Sequence, residues 1–284
     1  MIRMFLLGAL TLSPQQTDTT FAVRAGGTVD IENFSGRVTV RSWDQSRMRV
    51  RAQHSANVEI DIETEGSAVR IDASSWRGNA RDIAFDITVP RRFGADIEGV
   101  MLEVDVQGLE GDVSVETVQG AIRIQDVAGD ISASSTDGLI TVTGTRGHLE
   151  VESVNEGIRI TNHQGDVSAE AVNGPVTLTG MRSSQVVVES MNGEIQFAGE
   201  IAAGGRYQLE SHNGDLTVEL PRGTNASVSI DTWNGEIEAD FPIQLRSTRN
   251  RKSVTFEIGA GGARLELSSF GGAIRLRTAA AGGR

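Results

Sequence analysis

Alternating apolar and polar residues form short segments along most of the chain, and many of these segments contain an Asn-Gly or similar pair. One example is VESMNGEIQF, from Val188 to Phe197. An Asn-Gly pair between alternating residues is the strongest local signal for a β-hairpin. Two further stretches, LESHNGDLTV and IDTWNGEIEA, have the same order of residue types. The alternative to three hairpins is therefore one longer repeat.

A repeat of about 18–21 residues connects these segments. The apolar residue after each turn recurs at this spacing: Val104, Ile122, Ile140, Ile158, Val176, Ile195, Leu216 and Ile237. A second column follows two residues later, from Val106 to Ala239. Repeats of this length bury their apolar face only by stacking on neighbours, which is typical of solenoids.

The spacing within one repeat favours a bent coil over a straight hairpin arm. Val113 and Val115 share one face of a strand, whereas Val118 lies an odd number of residues further on. A bend at Glu116–Thr117 would return Val118 to the interior. We therefore expect a third buried column, with His212 half-buried: Val100, Val118, Thr136, Val154, Val172, Met191, His212 and Trp233. Small residues precede it, as a tight corner requires: Thr117, Ser135, Ser153, Ala171, Ser190, Ser211 and Thr232.

These columns predict an all-β fold, a single-stranded parallel β-helix or β-solenoid with rungs of about 18–21 residues. A residue inserted between Ile195 and Phe197 should then disrupt stacking, whereas one at the Asn192–Gly193 corner should be tolerated. The expected parts are a signal peptide at 1–16 and one solenoid domain at 17–284, with irregular or capping strands at 52–93, regular rungs at 94–240, and C-terminal rungs and a cap at 241–284.

The leader prediction rests on Arg3, followed by a short apolar run and then polar chain. It places the protein outside the cytoplasm, as a secreted, periplasmic or cell-surface protein. The alternative is a buried N-terminal strand. No later segment is apolar enough for a transmembrane helix.

Composition narrows the function further. The 284 residues include no cysteine, which excludes disulfides, thiol catalysis and Cys-based metal sites. A net charge of -12 argues against nucleic-acid binding, which needs a basic face. Parallel β-helices also include polysaccharide-cleaving enzymes, but here no acidic cluster stands out from the repeat. We therefore expect no catalytic residues, no cofactor and no dedicated metal site.

Two polar columns are candidate functional features. An amide column contains Asn155, Asn173, Asn192, Asn213 and Asn234. We interpret it as a structural ladder, because stacked amides hydrogen-bond between rungs, and we expect the glycine that usually follows to supply a positive φ. An acidic column contains Glu116, Glu152, Glu170, Glu189, Glu210 and Asp231. It could hold Ca²⁺ or repel lateral partners, but a solvated outer face is the favoured interpretation.

Basic residues gather in two stretches, one with Arg47, Arg49 and Arg51, and another with Arg246, Arg249, Arg251 and Lys252. Contact with an anionic envelope polymer and protection of open sheet edges are both compatible with this pattern, and protection is favoured.

The order of these motifs resembles the bacterial putative-adhesin family, domain of unknown function 4097. The motifs are the repeat V-x-x-x-x-G-x-I-x-I with G-D corners, the start FAVRAGGTVDIENFSGRVTVRSW and the corner V-P-R. The resemblance covers nearly everything after the leader and implies a β-solenoid at the cell envelope without a known catalytic site. The expected function is non-enzymatic, adhesin-like binding or scaffolding, with an envelope protein or a glycan as partner. The alternatives are a scaffold that self-associates end to end and a carbohydrate-active β-helix enzyme.

Overall fold

The strands of this computed structural model form one continuous hydrogen-bonded network. The structure describes residues 15–75, 81–241, 245–248 and 251–279. The strands are β1 Gln15–Ala22, β2 Thr28–Trp43, β3 Arg47–His54, β4 Val58–Glu65, β5 Ala68–Ser75, β6 Ile83–Pro90, β7 Gly94–Gln107, β8 Val113–Gln119, β9 Ile122–Gln125, β10 Ile131–Asp137, β11 Ile140–Thr143, β12 Leu149–Ser153, β13 Ile158–Thr161, β14 Val167–Ala171, β15 Val176–Ser190, β16 Ile195–Ser211, β17 Leu216–Leu220, β18 Ala226–Thr232, β19 Ile237–Ala239, β20 Leu245–Thr248, β21 Arg251–Ile258, β22 Ala263–Ser269 and β23 Ile274–Thr278.

The chain coils into a parallel β-solenoid, which confirms the fold predicted from the repeat. One face, face A, contains β8, β10, β12 and β14 in parallel register. Face B contains β9, β11 and β13. Equivalent residues of successive rungs are 18 residues apart in this region, and 19 and then 21 apart in the next two rungs. A short third edge, with bridges from Ala128 through Arg146 and Gln164 to Arg182, connects face B to face A of the next rung.

The apolar columns that follow the turns form the core, as predicted. Val104, Ile122 and Ile140 are at most 1 % exposed, and each pairs with its equivalent on the next rung. The second column, including Val106 and Ile124, is equally buried, but at the last position of the two columns Ile237 and Ala239 are only partly buried. Each such side chain contributes about 1.5–3 kcal/mol by leaving water. Stacking like residues on like residues therefore stabilises the coil along its whole length.

The third column, predicted to be buried, is exposed. Val118 and Met191 are 45 % and 55 % exposed, whereas Thr117 is 3 % exposed. The strand runs straight through Glu116–Thr117, so alternation turns Thr117 inward and leaves Val118 outside. His212 is likewise exposed rather than half-buried. Alternation breaks only at Val118 and Gln119, which are both exposed, and the small residues themselves fill the corner of the core.

The rungs do not all stack in chain order. The C-terminal rung, β22 and β23, lies between the rung of β16 and β17 and the rung of β18 and β19. Leu216 consequently pairs with Ile274, which pairs in turn with Ile237. At the other end, β2 lies between β7 and the pair β5 and β6. The assumption that rungs stack in the order of the chain therefore predicts the wrong neighbouring strands at both ends.

Antiparallel strands cover both ends of the solenoid. β3 lies between β1 and β6, and β4 pairs with β5. At the other end, β21 lies between β18 and β20. Residues 1–14, which include most of the proposed signal peptide, lie outside the described residues, and Gln15 and Gln16 begin β1. In the described ranges no helix is long and apolar enough to cross a membrane.

Candidate functional site

A row of outward-facing side chains, the apolar stripe, runs along the end of face A. In spatial order it contains Val100, Val118, Thr136, Val154, Val172, Met191, His212, Phe270 and Trp233. Within the described part of the chain, every large hydrophobic side chain that is strongly exposed lies in this stripe, except Met101, which is next to Val100. Contiguous exposed apolar surface of this kind marks interaction sites.

Aromatic rings extend the stripe towards the C-terminal end of the solenoid. The ring centroids of His212 and Phe270 are 4.9 Å apart with an interplanar angle of 5°. Those of Phe270 and Trp233 are 6.2 Å apart with an angle of 10°. The inserted rung creates this stack, because it places Phe270 between two residues that would otherwise be neighbours. An aromatic ring therefore lies on either side of Phe270, which is still 47 % exposed.

The acidic column runs beside the apolar stripe, two residues earlier in each rung. Glu116, Ser134, Glu152, Glu170, Glu189 and Glu210 pair in register. Ser268 of the inserted rung separates Glu210 from Asp231. The ion pairs of the described residues use other carboxylates, such as Asp18 and Asp215, and none of them includes a glutamate of this column. No group of three or more His, Asp or Glu side chains among the described residues is placed to hold a metal ion.

Stripe and column together line a groove of about 620 Å³. The groove is bordered by the glutamates on one side and by Val118, Val154, Val172 and Met191 on the other, above the buried small residues of the corner. Between Glu116 and Glu210 it spans five rung steps, which is about 24 Å at the spacing of paired strands. We call this surface the binding groove.

Neutralising one glutamate in the middle of the column should stabilise the protein. In Glu170→Gln the repulsion from Glu152 and Glu189 disappears, and like charges opposite each other in a sheet are destabilising. We expect a higher thermal midpoint, with the difference from wild type shrinking as salt is added. Differential scanning calorimetry at low and high salt measures it. Glu103→Gln, which loses a salt bridge to Arg37, is the control and should not gain stability.

An amide ladder borders the apolar stripe on its other side. The Asn155 amide donates to Asp137 over 2.6 Å, and the amides of Asn173, Asn192 and Asn213 each donate to the preceding rung over 3.0, 2.9 and 2.8 Å. Asn234 lies on the far side of the inserted rung, where Gly271 occupies this column and offers no side-chain amide.

Glycine follows these asparagines for a steric reason. The expectation of a positive φ was wrong for Gly174, Gly193 and Gly214. A Cβ on Gly193 would instead overlap the carbonyl oxygen of Gly174, and one on Gly214 would overlap that of Gly193. A regular column of positive φ angles lies instead at the third edge, at Gly108, Asp126, Gly144, Asn162 and Gly180, although Gly120, which follows Gln119, also has a positive φ. The Asn-Gly pair is therefore a stacking feature of the solenoid and not a hairpin turn.

The family model described as Toastrack DUF4097 matches residues 28–277, from the first residue of β2 to the penultimate residue of β23. The chain belongs to this family. The match includes β2, the inserted C-terminal rung and the whole binding groove, so the features described above lie inside the Toastrack domain.

Two solved structures share the Toastrack fold of this chain. A putative adhesin from Bacteroides fragilis NCTC 9343 is 11 % identical with a TM-score of 0.50, and one from Parabacteroides distasonis ATCC 8503 is 10 % identical with a TM-score of 0.52. Each comparison covers 93 % of this chain and 98 % of the other chain. At this identity the likeness shows the fold alone. A comparison with curated proteins finds no match.

The two basic stretches have different surroundings in this Toastrack domain. Arg49 and Arg51 lie on β3, which β1 and β6 cover on both sides, so β3 is not an open edge and edge protection was the wrong interpretation. Asp18 pairs with Arg49 over 2.6 Å, and this hydrogen bond lowers the pKa of the Asp18 carboxyl. In the second stretch, Lys252 donates to the Gly235 carbonyl over 3.0 Å. The side chains of Arg246, Arg249 and Arg251 lie outside the described residues.

A second groove, of about 690 Å³, lies along the third edge of the Toastrack domain. Its lining includes His163, which is 1 % exposed and whose Nδ1 is 2.8 Å from the Thr145 hydroxyl. The Nε2 atom is buried without a hydrogen-bond partner among the described residues. Burial lowers the pKa of His163 below its ordinary value. Folding therefore favours the neutral imidazole.

This histidine should make stability depend on pH. As the pH falls below about 6.5, the unfolded chain gains a proton on His163 that the folded chain resists, so stability is lost towards the lowered folded-state pKa. Above about pH 7.5 the effect is absent. We expect the thermal midpoint of wild type to fall more between pH 7.5 and pH 5 than that of His163→Gln. Equal slopes for the two proteins would contradict this assignment, and His212→Gln, at an exposed histidine outside this groove, provides the control.

Proposed function

We propose that this chain is a non-enzymatic, adhesin-like binding module of the bacterial cell envelope and that it binds its partner through the binding groove. The observation that carries the proposal is the concentration of strongly exposed hydrophobic side chains in one stripe beside a row of glutamates, from Glu116 to Glu210, that form no ion pair among the described residues. In-register strands hold these side chains in fixed positions, so that little conformational entropy is lost on binding.

The surroundings of the glutamates support binding over catalysis. Glycoside cleavage needs two carboxyl groups with different environments, one protonated and one ionised. In the groove, Glu152, Glu170 and Glu189 recur at the same position of successive rungs, each next to the same kinds of residue. The carbohydrate-active alternative therefore has no distinct acid and base in this groove.

Comparison with known structures supports an adhesin-like function, and the start of the sequence supports a location in the cell envelope. The two solved structures that share the fold are described as putative adhesins. The apolar run between Met4 and Leu12 is consistent with export. End-to-end scaffolding through two copies of edge strand β4 is the weaker alternative, because β4 carries Glu59, Asp61 and Glu63, and pairing it with itself would place like charges together.

A panel of bacterial envelope glycans and purified envelope proteins, scored for binding and for cleavage, tests the proposal. The groove variant is Val154→Ser/Val172→Ser/Met191→Ser. The control is Arg146→Ser/Gln164→Ser/Arg182→Ser on the third edge, which truncates the same number of exposed side chains. We expect binding by wild type and control, loss of at least tenfold in affinity for the groove variant, and no cleavage product. Product formation, or binding that survives the groove variant, would overturn the proposal.

A further inference from the structure

Building on the proposed function, we propose that the partner of the binding groove is a cationic amphipathic α-helix that lies parallel to the solenoid axis. The occupant follows from two properties of the groove: the order of charged, apolar and amide side chains across it, and the spacing of its rungs.

The order of side chains across the groove defines the chemistry of the partner. The acidic column lies on one side, the apolar stripe in the centre and the amide ladder on the other side. A complementary surface carries a row of apolar side chains with Lys or Arg along one flank and uncharged polar residues along the other. Because Glu152, Glu170, Glu189 and Glu210 follow one another without interruption, the basic row must extend over several turns.

The spacing of the rungs fits a helix better than an extended chain. Rungs repeat every ~4.8 Å, a helix returns to one face every ~5.4 Å, and a strand does so every ~6.7 Å. Over the five rung steps between Glu116 and Glu210 a helix drifts by about 3 Å, which flexible lysine side chains absorb, whereas a strand drifts by about 10 Å. A helix of about 16 residues spans the same length.

The groove is an open channel on the surface, about 24 Å long, with a volume of about 620 Å³. A helix is about 10 Å wide, so its body lies above the groove and inserts one row of apolar side chains. At the C-terminal end of the stripe, His212 and Trp233 lie on either side of the Phe270 ring, which can offer its edge to aliphatic side chains.

Three synthetic 18-residue peptides of Leu with Lys or Glu provide the test. The first places Leu and Lys in helical amphipathic order, the second has the same composition in strict alternation, and the third replaces Lys by Glu in the helical order. Fluorescence anisotropy with wild-type protein measures each affinity. We expect the first peptide to bind at least tenfold more tightly than either of the others, with an affinity that decreases as salt rises.

Matched variants separate the groove from the general negative charge of the protein, which is -12. Glu152→Gln/Glu170→Gln/Glu189→Gln should weaken the first peptide at least tenfold and flatten its salt dependence. Glu59→Gln/Asp61→Asn/Glu65→Gln removes three charges from edge strand β4 and should change the affinity less than twofold. Val154→Ser/Val172→Ser/Met191→Ser should weaken binding at least tenfold while the salt dependence stays. Circular dichroism melting confirms that each variant is folded.

Two results would overturn the inference: equal affinity for the helical and alternating Lys peptides, or equal weakening by the two charge variants. Neither result affects the proposed function if the groove variant still loses its envelope ligand in the panel experiment. If that variant keeps the envelope ligand while the helical peptide depends on the groove, the proposed function fails and the helix preference stands.

Discussion

One residue inserted between Ile195 and Phe197 will unfold the solenoid, whereas one glycine inserted next to Gly204 will leave it intact. The first insertion turns a strand of face B over, so that Phe197 leaves the core and Gln196 enters it. The second lies where the chain already carries extra residues: Ile201 pairs with Ser183, Arg206 pairs with Gln185, and a Cβ at Gly204 would contact nothing. Thermal melting should show no cooperative transition for the first protein and a shift of a few degrees for the second.

A third insertion, at the Asn192–Gly193 corner, tests how much the amide ladder contributes to the fold. The Asn-Gly signal marks it as a tolerant turn, but in the structure Asn192 bonds to both neighbouring rungs and the Gly193 amide donates to Ser190 over 3.0 Å. We therefore expect an insertion there to be nearly as damaging as the one in the strand. Tolerance at this corner equal to that at Gly204 would mean that the amide ladder contributes little to the fold.

Gly193→Val will destabilise the protein by about 3 kcal/mol, because the new side chain has no room between rungs. Its Cβ would overlap the Gly174 carbonyl oxygen, and that atom belongs to the backbone of a stacked strand. Separating the two rungs would also stretch the Asn192–Asn173 hydrogen bond, which measures 2.9 Å. Chemical denaturation monitored by circular dichroism gives the change in the free energy of unfolding.

Gly204→Val is the control for this substitution. Gly204 has a φ of +74° and open space around it, so valine there costs backbone strain of about 1–2 kcal/mol without a clash. A loss for Gly193→Val no larger than that for Gly204→Val would contradict the stacking explanation. Gly193→Ala should fall between wild type and Gly193→Val, because the overlap begins at the Cβ.

The core of the solenoid could be predicted from sequence because its period is encoded locally. Ile122, Ile140 and Ile158 are neighbours in space for the same reason that they are evenly spaced in the chain, and each rung imposes the same requirement on the next. The resemblance to the family pointed to the same fold, and both expectations are confirmed.

The apolar stripe could not be recognised with the same reasoning, because an odd spacing between two apolar positions of a repeat is compatible with two structures. An odd step between Val115 and Val118 means either a bend that buries Val118 or a straight strand that exposes it. The small residue before each stripe position was the signal that decides between them. A straight strand places Thr117 or Ser153 inward, where only small side chains fit, and this was interpreted as evidence for the bend.

The strands that neighbour the last rungs cannot be predicted from the period of the repeat. Phe270 and Ile274 match the template as well as their chain predecessors do, and nothing in their spacing says that they insert one rung earlier. Insertion follows from long-range pairing, in which β22 contacts β16 on one side and β18 on the other. The aromatic end of the apolar stripe depends on that pairing.

The inserted rung also sets a limit on how the protein can fold during its synthesis. Rungs from β8 to β16 can stack on their predecessors as the chain emerges, since each needs only what has already been made. β18 and β19 cannot stack in this way, because their partners β21 to β23 are translated later. A ribosome pausing before Ala263 therefore leaves β18 and β19 without their parallel neighbour, and the end of the solenoid closes only once the final strands are released.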